Sequence, residues 1–224
     1  MDKRFGIILA ASVLILGGIF ISKKNDSTST TTGTVSNHVA GANTGGVAIV
    51  EYGDFECPAC YSYYPAVKAA REKYGDQISI QFVNLPLTQI HTKAMAAHRA
   101  VEAAHLQGKF WEYHDKLYEQ RSLWAAEGIS IETTEKYFEE FAQNLGLNLD
   151  QFKTDSRSEA VNAVIKADIQ KATDLKVRST PTYYVNGKQL DSDTQASIRD
   201  VNEFYKLIDA KLAEHAAATP TPAN

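Results

Sequence analysis

Apolar and polar positions alternate along this chain in two different rhythms. Residues 47–52 ("VAIVEY") and 78–84 ("ISIQFVN") are short apolar-rich runs with β-branched residues, the pattern of buried strands. Residues 182–185 ("TYYV"), the Asn186-Gly187 turn and residues 188–190 predict a hairpin. Between these runs the pattern turns helical. A helix is predicted to open at Cys57-Pro58 and run to about Tyr74, stopping near Gly75. Pro58 stands in its first turn, where a missing N–H costs nothing, and Pro65 predicts a kink. Residues 88–175 read as a long helical block, and a closing helix covers about 197–214. Strand, helix, strand, helical block, hairpin and helix predict an α/β sheet carrying an inserted helical subdomain.

The ends break this rhythm. Residues 5–21 ("FGIILAASVLILGGIFI") hold no charge, with Asp2, Lys3 and Arg4 before them and Lys23 and Lys24 close after. As a helix the run would span about 25 Å, the short end of what crosses a bilayer. With no small-residue cleavage site at its end, residues 1–22 are expected to be a single transmembrane anchor rather than a cleaved signal sequence. Residues 23–44, rich in Ser, Thr, Gly and Asn, read as a flexible tether, and residues 215–224 as a disordered tail. The folded unit is expected at 45–214.

Composition changes the picture little. The chain has 224 residues and a net charge of −4, which suits one sizeable domain and gives no case for nucleic-acid binding. It holds only two cysteines, Cys57 and Cys60 in "CPAC", and these carry the candidate chemistry. A zinc site needs four ligands, and no second pair exists. His91, His98 and His105 recur every seven residues, about 10.5 Å apart along a helix and too far to share one ion. They read as a repeated, partly exposed helix position. A structural staple closing so short a loop would constrain the unfolded chain little. Dithiol–disulfide exchange fits better. A Cys at a helix N-terminus meets unpaired N–H groups and the positive end of the dipole, both favouring the attacking thiolate. Cys57 is then the nucleophile, and Cys60, one turn in, the resolving thiol.

Two further features bear on this reading. Glu51 lies on the strand beneath the pair and either relays the Cys60 proton or sits at an exposed edge. Asp54 and Glu56 read as solvated loop charges. Thr180-Pro181 opens a strand where proline is tolerated. Base rates favour a trans bond there; a cis bond would aim the Thr180 backbone at the pair.

Taken together, "VAIVEYGDFECPAC", "NLPLTQIHTKAMAAHRAVEAAHLQGKFWEYHDKLY" and "STPTYYVNGK" resemble the DsbA-like branch of thioredoxin-fold proteins, over most of residues 45–212. The resemblance implies a thioredoxin fold interrupted by helices at about 88–175. It implies that Cys57 attacks, Cys60 resolves, Pro181 is the facing cis-proline, and Glu51 is the acidic residue near the buried cysteine. Thr180, Pro58 and Ala59 would then touch substrate. No cofactor is implied beyond the Cys57–Cys60 disulfide. The implied activity is an extracytoplasmic thiol–disulfide oxidoreductase held at the cell membrane. It would oxidise unfolded secreted or surface proteins with free thiols and be reoxidised by a membrane quinone-linked partner. A reductase or isomerase, or a non-catalytic peptide-binding module or holdase, are the alternatives. One position departs from the strongly oxidising members: Ala59 stands where they carry His. That predicts a weaker oxidant within a range of about −270 to −120 mV.

Overall fold

A computed structural model describes residues 33–219. The expected anchor at 1–22, the tether as far as residue 32 and the last five residues of the tail lie outside that span.

The sheet has five strands: β1 (His38–Ala40), β2 (Val47–Gly53), β3 (Ile78–Asn84), β4 (Thr182–Val185) and β5 (Lys188–Gln189), in the order β1-β3-β2-β4-β5. The central β2 and β3 run parallel, Val47 opposite Ile78 through Gly53 opposite Asn84. Helix α1 (Pro58–Tyr74) makes their crossover. β4 lies antiparallel to β2, placing Tyr183 opposite Glu51. Because side chains alternate across a strand, Val47, Ile49 and Glu51 share one face with Tyr183 and Val185. Against that face pack Tyr63, Val67 and Ala70 of α1 and Phe204 and Ile208 of α9 (Val201–Ala218). Tyr52 and Val83 point the other way, with Ala172 of α7 (Glu159–Asp174).

Between β3 and β4 the chain forms α2 (Ala94–His105), α3 (Phe110–Glu119), the single turn α4 (Arg121–Trp124), α5 (Ile131–Asn144), α6 (Leu149–Asp155) and then α7, filling the expected helical insertion. Its core of Trp124, Tyr113, Leu117, Phe138 and Phe152 runs without a break into Phe55, Cys60 and Phe82 beside the sheet. A one-turn helix α8 (Ser192–Ser197) precedes α9.

Several boundaries differ from expectation. The residues read as tether include β1, paired antiparallel with β3, and both Ser36 and His38 are buried. Side chains anchor this strand. Ser36 N–H donates to Asp168 (2.8 Å), Gln81 Nε2 donates to the Ser36 carbonyl (2.9 Å), and His38 Nε2 meets Glu102 (2.7 Å). Asn84 Nδ2 joins Glu102 (2.6 Å) to Asp168 (2.7 Å), so one buried polar network ties β1 and β3 to α2 and α7. Burial raises the Asp168 carboxyl above its usual range. At the other end α9 extends to Ala218, so the first residues of the expected disordered tail are helical. The histidine repeat dissolves as well. His91 precedes α2, His98 is fully buried with Nδ1 2.6 Å from Asn84 Oδ1, and His105 alone is an exposed helix position. Among the described residues no helix is long and apolar enough to cross a membrane.

Candidate active site at the start of helix α1

Strand β2 ends at Gly53, where any side chain would run into the Phe82 ring and crowd the Glu51 carboxyl group. The chain then turns through Asp54-Phe55-Glu56 into the helix. Cys57 caps α1 in extended conformation, with Pro58 at its first position, so the first turn leaves free N–H groups facing the Cys57 sulfur. Both thiols are free, Cys57 6% exposed and Cys60 1%. Pro58 is exposed and Ala59 half-buried at the rim.

Opposite stands the loop before β4. The Thr180–Pro181 bond is cis, correcting the expectation from base rates and agreeing with the resemblance. The Thr180 carbonyl lies 3.5 Å from Cys57 Sγ, within reach of the thiol as donor. Thr180 Oγ1 is buried without a partner among the described residues. Gln195 of α8 secures this loop, its Nε2 donating to the Pro181 carbonyl (3.0 Å) and its Oε1 accepting from Tyr183 N–H (3.0 Å).

The two sulfurs differ sharply in acidity. Cys57 is pulled down to about 5, chiefly because the Cys60 thiol donates to its thiolate; Thr180 and the amides of Cys60 and Ala59 add to this, against an opposing effect of burial. Cys60 is pushed well above the usual thiol value by burial, then by its bond to the Cys57 thiolate. The Asp54 amide is its backbone donor, at 3.5 Å. At neutral pH the pair is therefore one thiolate and one thiol.

Glu51 does not sit at an exposed edge. It is 3% exposed beneath the pair, and burial raises its carboxyl to about 8, against lowering by Tyr183 and Arg71. It is thus a neutral acid at pH 7, in the protonation state that can give a proton to a nearby thiolate.

Asp54 and Glu56 are not solvated loop charges; both are buried. Asp54 accepts from the amides of Glu56 (2.9 Å) and Leu87 (2.9 Å) and meets His91 Nδ1 at 2.7 Å. Glu56 Oε2 accepts from Lys93 N–H (2.6 Å), while Arg121 donates to the Glu56 carbonyl and lies over the Tyr61 ring at 5.7 Å. Together they clamp the redox turn to the segment before α2 and to α4. Sequence reasoning misplaced Asp54 and Glu56 and passed over Arg121, Tyr118, Tyr183 and Gln195. Apart from the Glu56 amide beside Asp54, the hydrogen-bond partners of the Asp54, Glu56, Arg121 and Gln195 side chains lie 12 to 65 positions away in sequence.

The sequence profile of the thioredoxin family matches residues 33–210. Among curated proteins, the chain is 28% identical over 210 residues to the probable disulfide bond formation protein D of Bacillus anthracis, covering 90% of this chain and 95% of that one. It is 38% identical over 156 residues to the Na(+)/H(+) antiporter NhaA 1 of Salinispora arenicola, 68% of this chain but 22% of that protein. The chain therefore spans under a quarter of that relative. Among solved structures, oxidised BdbD from Bacillus subtilis superposes with a TM-score of 0.64 at 23% identity, over 81% of this chain and 97% of that one. DsbA2 of Pseudomonas aeruginosa gives 0.58 at 22% identity, over 79% and 95%.

Proposed function

The chain belongs to the thioredoxin family, and we propose that it is a DsbA-like thiol–disulfide oxidoreductase whose working direction is oxidation of protein dithiols. The observation that carries this is the opposed acidity of the two thiols: a Cys57 thiolate at neutral pH over a protonated, buried Cys60. A thiolate is both the better attacking group and, as a low-pKa sulfur, the better leaving group. The name of the Bacillus anthracis relative points the same way.

In the oxidised protein a substrate thiolate attacks Cys57 Sγ. The substrate–Cys57 bond forms, the Cys57–Cys60 bond breaks, and Cys60 leaves as a thiolate. Glu51, a neutral acid at pH 7, gives that buried thiolate its proton. A second substrate thiolate then attacks the substrate sulfur of the mixed disulfide. The substrate disulfide closes, and Cys57 leaves as a thiolate held by the Cys60 thiol. Two electrons have passed from substrate to enzyme.

The Thr180 carbonyl beside the pair and the rim residues Pro58 and Ala59 form the surface an extended substrate chain would meet. Residues 5–21 would anchor the domain on the outer face of the cell membrane, where secreted or surface proteins with free thiols pass and a quinone-linked membrane partner would reoxidise the pair. The antiporter's ion exchange forms no part of this reading.

The test is oxidation of a reduced, unfolded two-cysteine protein by the oxidised enzyme. One substrate disulfide per enzyme is expected, with Cys57→Ser and Cys60→Ser both inactive, since neither can form the Cys57–Cys60 disulfide that accepts the two electrons. Substrate oxidation surviving in Cys57→Ser would overturn the reading.

A further inference from the structure

Two phenols lie unpartnered under the redox pair. Tyr183 is 0% exposed and Tyr118 1%, and among the described residues neither hydroxyl has a hydrogen-bond partner. A buried hydroxyl left unpaired costs free energy, so its retention needs a reason. Their placement supplies one. Tyr183 pairs with Glu51 across β2 and β4, which puts both side chains side by side on the α1 face of the sheet. Tyr118, in the last full turn of α3, stacks on Tyr64 (5.1 Å) and tilts against Phe55 (5.2 Å) on the same buried side as Cys60. The Tyr183 hydroxyl is close enough to act on Glu51 as a donor, yet falls short of completed hydrogen-bond geometry. The charges of Cys60 and Glu51 act in turn on the Tyr118 hydroxyl.

The protonation cycle accounts for this idle state. With Glu51 protonated, its carboxyl needs no strong donor. Once the proton passes to the Cys60 thiolate, the buried carboxylate is left without a cation of its own: Arg71, whose charge acts on it, is bound to Asp115 at 2.6 Å. A charged oxygen so placed requires a hydrogen bond to persist.

We propose that Tyr183 is a positioning residue for the proton step of the exchange reaction, its hydroxyl donating to the Glu51 carboxylate formed when Glu51 protonates Cys60. The proposal deepens the oxidoreductase reading and rests on it for its purpose. Atoms balance within the pocket: the proton leaves Glu51 and arrives on Cys60 Sγ, while the tyrosine proton stays on its oxygen and only reorients.

The test reads Glu51 directly, so it is independent of whether the chain turns over any substrate. The Glu51 carboxyl is titrated in the reduced full chain by carbonyl-carbon NMR with labelled glutamate, assigned by Glu51→Gln. In Tyr183→Phe the Glu51 midpoint should rise by about one pH unit, the effect of losing one hydrogen bond to a charged group. Tyr64→Phe serves as control. Its ring belongs to the same core, but its hydroxyl serves Glu119 at 3.0 Å, and the midpoint should not move. An unchanged midpoint in Tyr183→Phe, or an equal rise in Tyr64→Phe, would overturn the proposal. Should Tyr183→Phe fail to fold, the wild-type protein labelled at the tyrosine ring decides. The Tyr183 phenol carbon should shift with the Glu51 midpoint, and a signal indifferent to that titration refutes the assignment. An activity assay finding no exchange, alongside a shifted Glu51 midpoint, would sink the enzyme reading and leave the tyrosine–carboxyl coupling standing.

Discussion

Two sulfurs of one kind, a single helical turn apart, are held in opposite protonation states by their surroundings. Cys57 sits where the first amides of α1 and the Cys60 thiol all point donors at it, whereas Cys60 lies in the core with one distant amide. The difference is local, so it can be tuned locally. At Ala59 a methyl group stands half-buried between them and offers no donor. Ala59→His should add a donor to the Cys57 thiolate and stabilise the reduced pair. A hydrogen bond to a charged group is worth about 1.5–3 kcal/mol. The potential should therefore rise by about 30–60 mV, at 30 mV per 1.4 kcal/mol, as measured by equilibration with glutathione. A fall, or no change, would show that the thiolate draws its stability from elsewhere.

At the scale of elements, the redox turn depends on Asp54. Its carboxylate receives two amides and a histidine from the turn itself and from the segment before α2. Asp54→Ala would strand those donors in a buried place, at about 1–3 kcal/mol for each left unsatisfied. Urea unfolding should show a loss of about 2–4 kcal/mol, with faster hydrogen exchange at the Glu56 and Leu87 amides. A variant as stable as the parent would mean that the clamp is dispensable. This arrangement was not legible in the sequence. An aspartate between Gly53 and Phe55 looks like any turn residue until Leu87 and His91 arrive beside it. The strand β1 was hidden for a similar reason. Its three residues sit in a Ser- and Gly-rich stretch, and its anchoring comes from Asp168 and Gln81, far along the chain. By contrast β2, β3, α1 and the β4–β5 hairpin showed plainly, because each carries its own apolar run or its own Pro, Gly and Asn-Gly punctuation. The cis bond at Pro181 showed only through the family pattern, since nothing local to Thr180 distinguishes it.

For the molecule as a whole, the buried acid and the Cys57 thiolate pull stability in opposite directions with pH. Glu51 goes from 4.5 in the unfolded chain to about 8 in the fold, so between those values the native state holds the extra proton. Stability then falls as pH rises, by on the order of 5 kcal/mol across the window. Cys57 goes from 9.0 down to about 5, so the native state holds fewer protons, and stability rises with pH between those values. Only the reduced protein has that second effect. His98 and His114, held near 4 by burial, act in both redox forms and drop out of the difference. The stability of the reduced form relative to the oxidised form should therefore grow steadily from pH 5 to 9. Glu51→Gln should remove the fall between pH 4.5 and 8 in the oxidised form and, in the reduced form, leave the Cys57 rise unopposed. Parallel urea curves at several pH values check both statements, and a difference independent of pH would contradict the assigned Cys57 thiolate.

The direction of electron flow is tested most directly by equilibrating the Cys57–Cys60 pair with glutathione at pH 7. A reduced form stabilised by its thiolate predicts a potential above that of thioredoxin, at about −270 mV, and below that of the strongest oxidants, at about −120 mV. A value at or below −270 mV would contradict the oxidase and make the protein a reductase.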